Sequence, residues 1–231
     1  MNPRKGTART AGLLYLLLAV TGGFSMLYVP SLIVPGDAAA TAANIAANES
    51  LFRLGIFSGL ISQVVFVLLV LALYALFRGV SKGYSSVMVA LVVAAAPVAF
   101  LNMLNQVAAL HMLGGAAYLT AFAPGQVNAL MMLFLDLHGH GLLIVELFWG
   151  LWLLPLGLLV IRSGFIPRMI GALLIIGFAG YLLDFATRLL LPEYTAIVSP
   201  IAGVSKFGEL AIILWLLIKG VKEQHATLGT S

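Results

Sequence analysis

Cysteine is absent from the 231-residue chain, and charged side chains make up only 9% of it. The lack of cysteine excludes disulfide bonds, thiolate metal sites and cysteine nucleophiles, and it leaves the redox compartment open. The low charge excludes an ordinary soluble domain, in which about a quarter of the residues are charged. With 62% hydrophobic residues and a mean hydropathy of +1.10, the composition predicts a polytopic membrane protein.

Long apolar runs recur along the chain, each near or above the ~20 residues that cross ~30 Å of hydrocarbon. Because lipid offers no hydrogen bonds to the backbone, and the runs are too long for barrel strands, each is predicted to be a helix. The runs cover about residues 11–29, 54–77, 85–110, 130–161, 169–190 and 200–218. The predicted fold class is therefore all-α, a single domain of residues 1–231 that forms a bundle of six transmembrane helices.

Shorter features modify this plan. The alanine-rich segment at residues 36–50 predicts a short helix outside the membrane, with Asp37 as its N-cap. Pro97 and Pro155 lie inside the third and fourth spans, and each is expected to kink its helix because proline lacks the backbone N–H. No soluble domain, internal repeat or low-complexity linker is evident.

Basic residues mark alternate loops, which argues against nucleic-acid binding despite a formal charge of +4. One side of the membrane receives Arg4, Lys5, Arg9, Arg78, Lys82, Arg162, Arg168, Lys219 and Lys222. The other side receives Arg53, Arg188 and Lys206. By the positive-inside rule, both termini are predicted to be cytoplasmic.

Three stretches carry a resemblance to a known family. They read TARTAGLLYLLLAVTGG, VPGDAAATAANIAANESLFRLGI and GLWLLPLGLLVIRSGFIPRMIGALLIIGFAGYLLD. Together they resemble the bacterial domain-of-unknown-function 4386 family of small multi-pass membrane proteins, over nearly the whole chain. The resemblance implies a protein of about six helices in the bacterial inner membrane, and it carries no activity or catalytic residue over to this sequence.

Several ionisable side chains fall within the predicted spans. Counted from the basic anchors at ~1.5 Å per residue, Glu146 and Asp184 lie about 24 Å up, in the outer part of the core. Lys206 lies at about 20 Å and Glu209 at about 15 Å, near the midplane. The outer location of most of these polar residues predicts a polar pocket that opens to the outside.

Helical directions at ~100° per residue assign these side chains to faces. On the fourth span, one face holds Asp136, Gly139, His140, Glu146, Gly150 and Gly157, and the opposite side holds His138, Trp149 and Trp152. On the third and fifth spans, single faces hold Ala95, Ala99, Asn102, Asn105, Gln106 and Ala109, and Gly177, Gly180, Asp184, Thr187 and Arg188. Because small and polar residues together are typical of helix–helix contacts in lipid, these faces are predicted to point inward.

The first functional hypothesis is a protein that binds or transports a small or lipid-like solute through the outward-facing pocket. Ionisable residues in a span are functional candidates because they are costly in lipid. The predicted ligand-binding residues are Glu146, Asp184, Arg188, Lys206, Glu209, Asn102 and Gln106. A structural interpretation stays open beside it: Asp184 with Arg188, and Lys206 with Glu209, are spaced to pair along one helix. Glu146 either meets Lys206 or Arg188 from a neighbouring helix or carries a proton.

Two alternatives also remain. Asp136 and His140, four residues apart, are candidate ligands of one metal ion, with His111, Glu146 or Glu209 completing the site, which would support an intramembrane hydrolase. No H-E-x-x-H, G-x-S-x-G, phosphate-loop or dinucleotide motif supports catalysis, so whether the protein is an enzyme stays open. The second alternative is a non-catalytic scaffold or accessory subunit. The expected partners are the lipid bilayer and a small-molecule or lipid ligand; cofactor and oligomeric state are undetermined.

Overall fold

The computed structural model describes residues 3–205 and 207–221, and these ranges contain helices but no strand. The α-helices are α1 (Pro3–Ser31), α2 (Ala38–Ala47), α3 (Glu49–Phe77), α4 (Lys82–Leu113), α5 (Pro124–Leu151), α6 (Leu153–Ser163), α7 (Arg168–Leu190), α8 (Thr195–Ser205) and α9 (Gly208–Ile218). Short 3₁₀-helices occupy Ala117–Ala121 and Pro192–Tyr194. The predicted all-α fold class is confirmed.

Six helical segments in the described part of the chain are long and apolar enough to cross a membrane. They are Lys5–Ser31, Glu49–Phe77, Lys82–Leu113, Pro124–Ser163, Arg168–Leu190 and Pro192–Ile218. Their number and order agree with the six apolar runs of the sequence. A length of 23 residues, the shortest of the six, corresponds to about 34 Å of helix and suffices for the hydrocarbon core.

The fourth span is interrupted close to its proline. Helix α5 ends at Leu151 and α6 begins at Leu153, so that Trp152 separates them. Pro155 cannot donate to the carbonyl of Leu151, and the helix breaks within the turn ahead of it. The predicted distortion at Pro155 is therefore confirmed, whereas α4 continues through Pro97 as a single helix.

The sixth span agrees with the apolar run predicted at residues 200–218, and its described backbone departs from regular α-helix at Phe207. Helix α8 ends at Ser205 and α9 begins at Gly208. The N–H of Phe207 donates to the carbonyl of Val204, three residues earlier, at 3.2 Å. An α-helical hydrogen bond would reach the carbonyl four residues earlier. A Cβ at Gly208 would lie 2.7 Å from the backbone carbonyl oxygen of Leu173, so only glycine permits this approach. Glycine also favours the irregular turn because it is a weak helix former.

The short helix α2 has the start that the sequence predicts. Asp37 precedes it in an extended conformation, and its Oδ1 accepts a hydrogen bond of 2.8 Å from the N–H of Ala40. This contact satisfies one of the N–H groups that a helix leaves without an internal partner at its first turn. The predicted cap is confirmed.

The chain divides into two compact units. The first unit comprises residues 1–16, 68–92 and 147–231, and the second unit comprises residues 17–67 and 93–146. The first unit buries Leu69, Leu73, Phe77, Met88, Trp152, Leu156, Leu159 and Leu174. The second unit has a buried cluster of Val29, Leu32, Ala42, Ile45, Phe52, Ile56, Met103, Ala109, Leu110, Met131 and Leu135.

Candidate functional site

Glu209 lies in the first unit, at the second residue of α9 and two residues after the irregular turn at Phe207. Both oxygens of its carboxylate accept hydrogen bonds from tyrosine hydroxyls. Tyr15 Oη donates to Oε2 at 2.6 Å, and Tyr181 Oη donates to Oε1 at 3.0 Å. Since Tyr15 belongs to α1 and Tyr181 to α7, one carboxylate links three helices.

The packing around this carboxylate is aromatic and close. The rings of Tyr15 and Trp152, both almost fully buried, lie 5.7 Å apart at an angle of 55°. Gly150 faces Tyr181, where an added Cβ would come within 2.7 Å of the Tyr181 Cβ. The small residue on α5 thus allows Tyr181 to approach closely enough for its hydroxyl to reach Glu209.

Asp184 forms a second polar group in the first unit, one helical turn after Tyr181. It is 1% exposed, and its Oδ2 lies 3.2 Å from Nη2 of Arg188. Arg188 Nε also donates to Oδ1 at 3.3 Å, and the hydroxyl of Ser199 donates to the same oxygen. The i, i+4 pair that the sequence allowed is therefore present. The Arg188 side chain of this pair is 43% exposed, whereas Asp184 is buried.

The second unit contains a polar group in which amides meet a histidine. Asn102 Nδ2 donates to the carbonyl of His138 at 2.9 Å, and His138 Nδ1 lies 3.2 Å from the carbonyl of Asn102. Gln106 Nε2 lies 2.9 Å from His138 Nε2. These contacts fit an imidazole whose Nδ1–H donates to Asn102 and whose Nε2 accepts from Gln106. The group links α4 to α5 within this unit.

The chain has relatives among known proteins. Residues 10–220 match the family model described as Domain of unknown function (DUF4386). This chain belongs to the DUF4386 family. An "Uncharacterized protein" of Archaeoglobus fulgidus is 37% identical to it over 76 residues, which are 33% of this chain and 44% of that protein. The chain thus spans less than half the length of this curated relative.

No solved structure matches the chain. The descriptions of the DUF4386 family and of the archaeal relative name no activity. The resemblance recognised in the sequence is confirmed, but a function for this DUF4386 protein has to be argued from its own side chains.

The predicted inward face of the fourth span was wrong at its N-terminal end. Asp136 and His140 are exposed, whereas His138 is buried. The prediction rested on the small and acidic residues of the opposite face. In the structure, His138 has hydrogen-bonding partners on α4, and an added Cβ at Gly139 would have no atom within 4 Å.

Trp152, which was also assigned to the outward face, is 1% exposed. The buried positions of α5 are instead spaced by three or four residues from Met131 through Leu135 to His138.

The candidate metal ligands are not brought together. His140 Nδ1 lies 2.8 Å from the carbonyl of Asp136 on its own helix, and His111 hydrogen-bonds to the hydroxyl of Tyr118. Across residues 3–205 and 207–221, no group of three or more histidine, aspartate or glutamate side chains is placed to hold a metal ion. In this part of the chain the metal hypothesis therefore has no assembled ligand set.

The remaining predicted site residues have different outcomes. Glu146 is buried, at 8% exposure, and belongs to the second unit with Asn102 and Gln106. Asp184, Arg188 and Glu209 belong to the first unit. Lys206 lies outside the described residues. The buried faces predicted for the third and fifth spans are confirmed at Ala95, Ala99, Asn102, Gln106, Ala109, Gly177, Gly180, Asp184 and Thr187. On the same faces the prediction was wrong at Arg188, which is exposed, and Asn105 is only partly buried.

Sequence reasoning missed Tyr15, Tyr181, Ser199 and the role of His138. One available signal was the position of the tyrosines. Tyrosine in membrane proteins concentrates at the two interfaces, where its ring and hydroxyl meet different surroundings. Tyr15 and Tyr181 stand well inside apolar spans, where a hydroxyl needs a protein partner. That partner is Glu209.

Proposed function

We propose that this DUF4386 protein binds or transports a small or lipid-like solute and that Glu209 is the central residue of its binding site. The observation that carries the proposal is the pair of tyrosine hydroxyls on the two carboxylate oxygens of Glu209, two residues after the irregular turn at Phe207. Asp184 and Arg188, along the same face of α7 as Tyr181 and beyond it, are proposed to contribute to the same polar region of the first unit.

An irregular turn in a membrane helix supports a binding role for a physical reason. Backbone groups that leave the helical pattern lose their partners, and lipid supplies none, so such breaks persist only within protein or beside a polar cavity. Transporters use broken helices of this kind to present polar groups to solutes near the membrane midplane. An ionisable residue beside the turn adds to the cost, and this favours a functional role for Glu209.

The cellular setting is part of the proposal. The alternation of basic residues between loops supports an orientation with both termini in the cytoplasm. Membership in DUF4386 and the six apolar helices support a multi-pass membrane protein, and we propose the bacterial cytoplasmic membrane as its location. The wider pocket lining predicted from the sequence, which includes Glu146, Lys206, Asn102 and Gln106, stays a prediction.

A thermal-stability screen tests the proposal even while the solute is unidentified. Purified protein would be heated with individual small solutes and lipids, since a ligand of the folded state raises the melting temperature by mass action. The ligands found would then be tested on Glu209→Gln and on Glu193→Gln, an exposed residue with the same change of charge. We expect stabilisation to be lost with Glu209→Gln and kept with Glu193→Gln. Ligands that stabilise both variants equally would refute the role of Glu209.

A scaffold or accessory subunit is the second candidate, and the surroundings of Asp184 favour it. Its two oxygens contact Arg188 and Ser199, so this buried carboxylate is well satisfied within the fold. For a scaffold, Asp184→Asn should lower the melting temperature, and no solute in the screen should stabilise the protein. The hydrolase hypothesis has no observation in its favour among the described residues.

A further inference from the structure

We propose that the protein binds the anionic headgroups of membrane phospholipids on a basic surface formed by two turns of the first unit. The turns are residues 78–84, at the junction of α3 and α4, and residues 162–168, at the junction of α6 and α7. The basic surface consists of four exposed side chains, Arg78, Lys82, Arg162 and Arg168. The inference goes beyond the proposed function, because it names a second partner and does not depend on the role of Glu209.

Two contacts with aromatic rings hold the turns together. The ring of Phe77, the last residue of α3, stacks on the ring of Phe165 in the second turn, with the centroids 5.6 Å apart. Both phenylalanines are buried. The guanidinium carbon of Arg162 lies 4.7 Å from the centroid of the Tyr84 ring in the first turn. The four cationic side chains therefore belong to one surface and not to two separate loops.

The basic surface has no carboxylate of its own. The sequence contains no aspartate or glutamate at residues 51–135 or at residues 147–183, the stretches that include the two turns. Within residues 3–205 and 207–221, none of the four cationic side chains forms a salt bridge. Like charges held on one surface repel each other, and an anion bound among them is attracted to all of them. The partner that suits this surface is therefore anionic.

The contact with Tyr84 suits Arg162 to a phosphate group. A guanidinium that lies over an aromatic ring is attracted through its charge, and its N–H groups stay available as donors. These donors form a rigid fork that matches two phosphate oxygens at once. Because the ring already limits the motion of the side chain, less conformational entropy is lost when an anion binds. Arg162 is thus the central phosphate ligand of the basic surface.

The position of the turns favours a lipid headgroup over a dissolved anion. Both turns join helices that are long and apolar enough to cross a membrane, so they lie at the level of the headgroups. Apolar side chains are exposed close to the cations along the chain: Met169, the residue after Arg168, is 76% exposed, and Val87 of α4 is 50% exposed. A phospholipid can contact the cations with its headgroup and these side chains with its acyl chains, whereas a dissolved anion gains only the first contact.

Native mass spectrometry of the purified full chain in neutral detergent tests the partner by counting bound lipid molecules. The protein would be titrated with phosphatidylglycerol and with phosphatidylcholine of the same acyl chains. We expect phosphatidylglycerol to bind at least about tenfold more tightly, since each Lys or Arg near a membrane surface contributes about fivefold in affinity for anionic lipid. An excess of inorganic phosphate at constant ionic strength should leave the lipid bound. Equal binding of the two lipids, or displacement of phosphatidylglycerol by inorganic phosphate, would overturn the inference.

Matched arginine variants locate the lipid. Arg168→Gln removes one charge from the basic surface, and Arg53→Gln makes the same change at an exposed arginine of the second unit. We expect Arg168→Gln to weaken phosphatidylglycerol binding about fivefold, and Arg162→Gln combined with it to weaken binding about tenfold or more. Arg53→Gln should stay within about twofold of the parent. Equal effects of Arg168→Gln and Arg53→Gln would overturn the inference, because binding would then follow net charge alone. If the double variant does not fold, the two single changes at exposed arginines still decide the question.

Discussion

Tyr15 and Glu209 lie 194 positions apart in the chain, and a hydrogen bond of 2.6 Å joins them. The contact brings a residue of the first membrane-crossing helix to a carboxylate in the last. Since Tyr181 donates to the other carboxylate oxygen, each oxygen of Glu209 accepts a hydrogen bond from a phenol. This arrangement is the basis of the proposed binding site.

Removal of the Tyr15 hydroxyl should destabilise the protein. Tyr15→Phe keeps the ring against Trp152 but deletes a donor to a charged acceptor, so we expect a loss of about 1 to 3 kcal/mol in unfolding free energy. Reversible denaturation in mild detergent would measure it. The control is Tyr194→Phe at an exposed tyrosine, which should change stability by less than about 0.5 kcal/mol. Equal effects of the two changes would mean that the Tyr15 hydrogen bond contributes little.

Two glycines of α5 offer a matched pair. An added Cβ at Gly150 would lie 2.7 Å from the Cβ of Tyr181, whereas Gly139 has open space around it. Gly150→Ala should therefore cost about 1 to 3 kcal/mol through overpacking. Gly139→Ala should be neutral or stabilising by up to about 1 kcal/mol, because alanine favours the helix. Melting temperatures of the two variants would show the order, and a reversed order would contradict the close approach of α5 to Tyr181.

The two neighbouring histidines should respond differently to truncation. His138→Ala leaves Asn102 and Gln106 without their imidazole partner inside the second unit, and we expect a loss of about 1 to 3 kcal/mol. His140 is exposed and contacts its own helix, so His140→Ala should stay within about 0.5 kcal/mol of the parent. Chemical denaturation of both variants would compare them. A larger loss at His140 would restore the face that the sequence first suggested.

The absence of cysteine makes the proposed membrane orientation directly testable. Single cysteines introduced as Ala47→Cys, at the last residue of α2, and Gly83→Cys, at the start of α4, place one label on each proposed side. In intact cells, a membrane-impermeant maleimide should modify the first and spare the second. Both should react after the membrane is permeabilised. Labelling of Gly83→Cys in intact cells would reverse the proposed orientation.

The architecture was predictable because its causes are local. A run of apolar residues about 20 long has to form a helix in lipid, and the Asp37 cap depends on its immediate neighbours. The buried face of α7 followed from glycines at helical spacing, since small residues admit close contact. These features do not depend on which helices are neighbours.

The candidate site was only partly predictable because its contacts are long-range. Glu209 was identified by its cost in lipid, but the chain gives no local sign that Tyr15 and Tyr181 donate to it. Gly208 packs against the carbonyl of Leu173 in α7, and a hydropathy pattern does not register that contact. His138 was assigned to the wrong face because its partners on α4 could not be foreseen. In each case a tertiary contact overrode a local pattern.

The most direct test of the account is the dissociation constant of a ligand from the stability screen, measured by equilibrium dialysis. The parent protein, Glu209→Gln and Glu193→Gln would be compared under one set of conditions. The account predicts that Glu209→Gln raises the dissociation constant by about tenfold or more, while Glu193→Gln leaves it within about twofold. An unchanged dissociation constant in folded Glu209→Gln would contradict the assignment of Glu209 as the centre of the binding site.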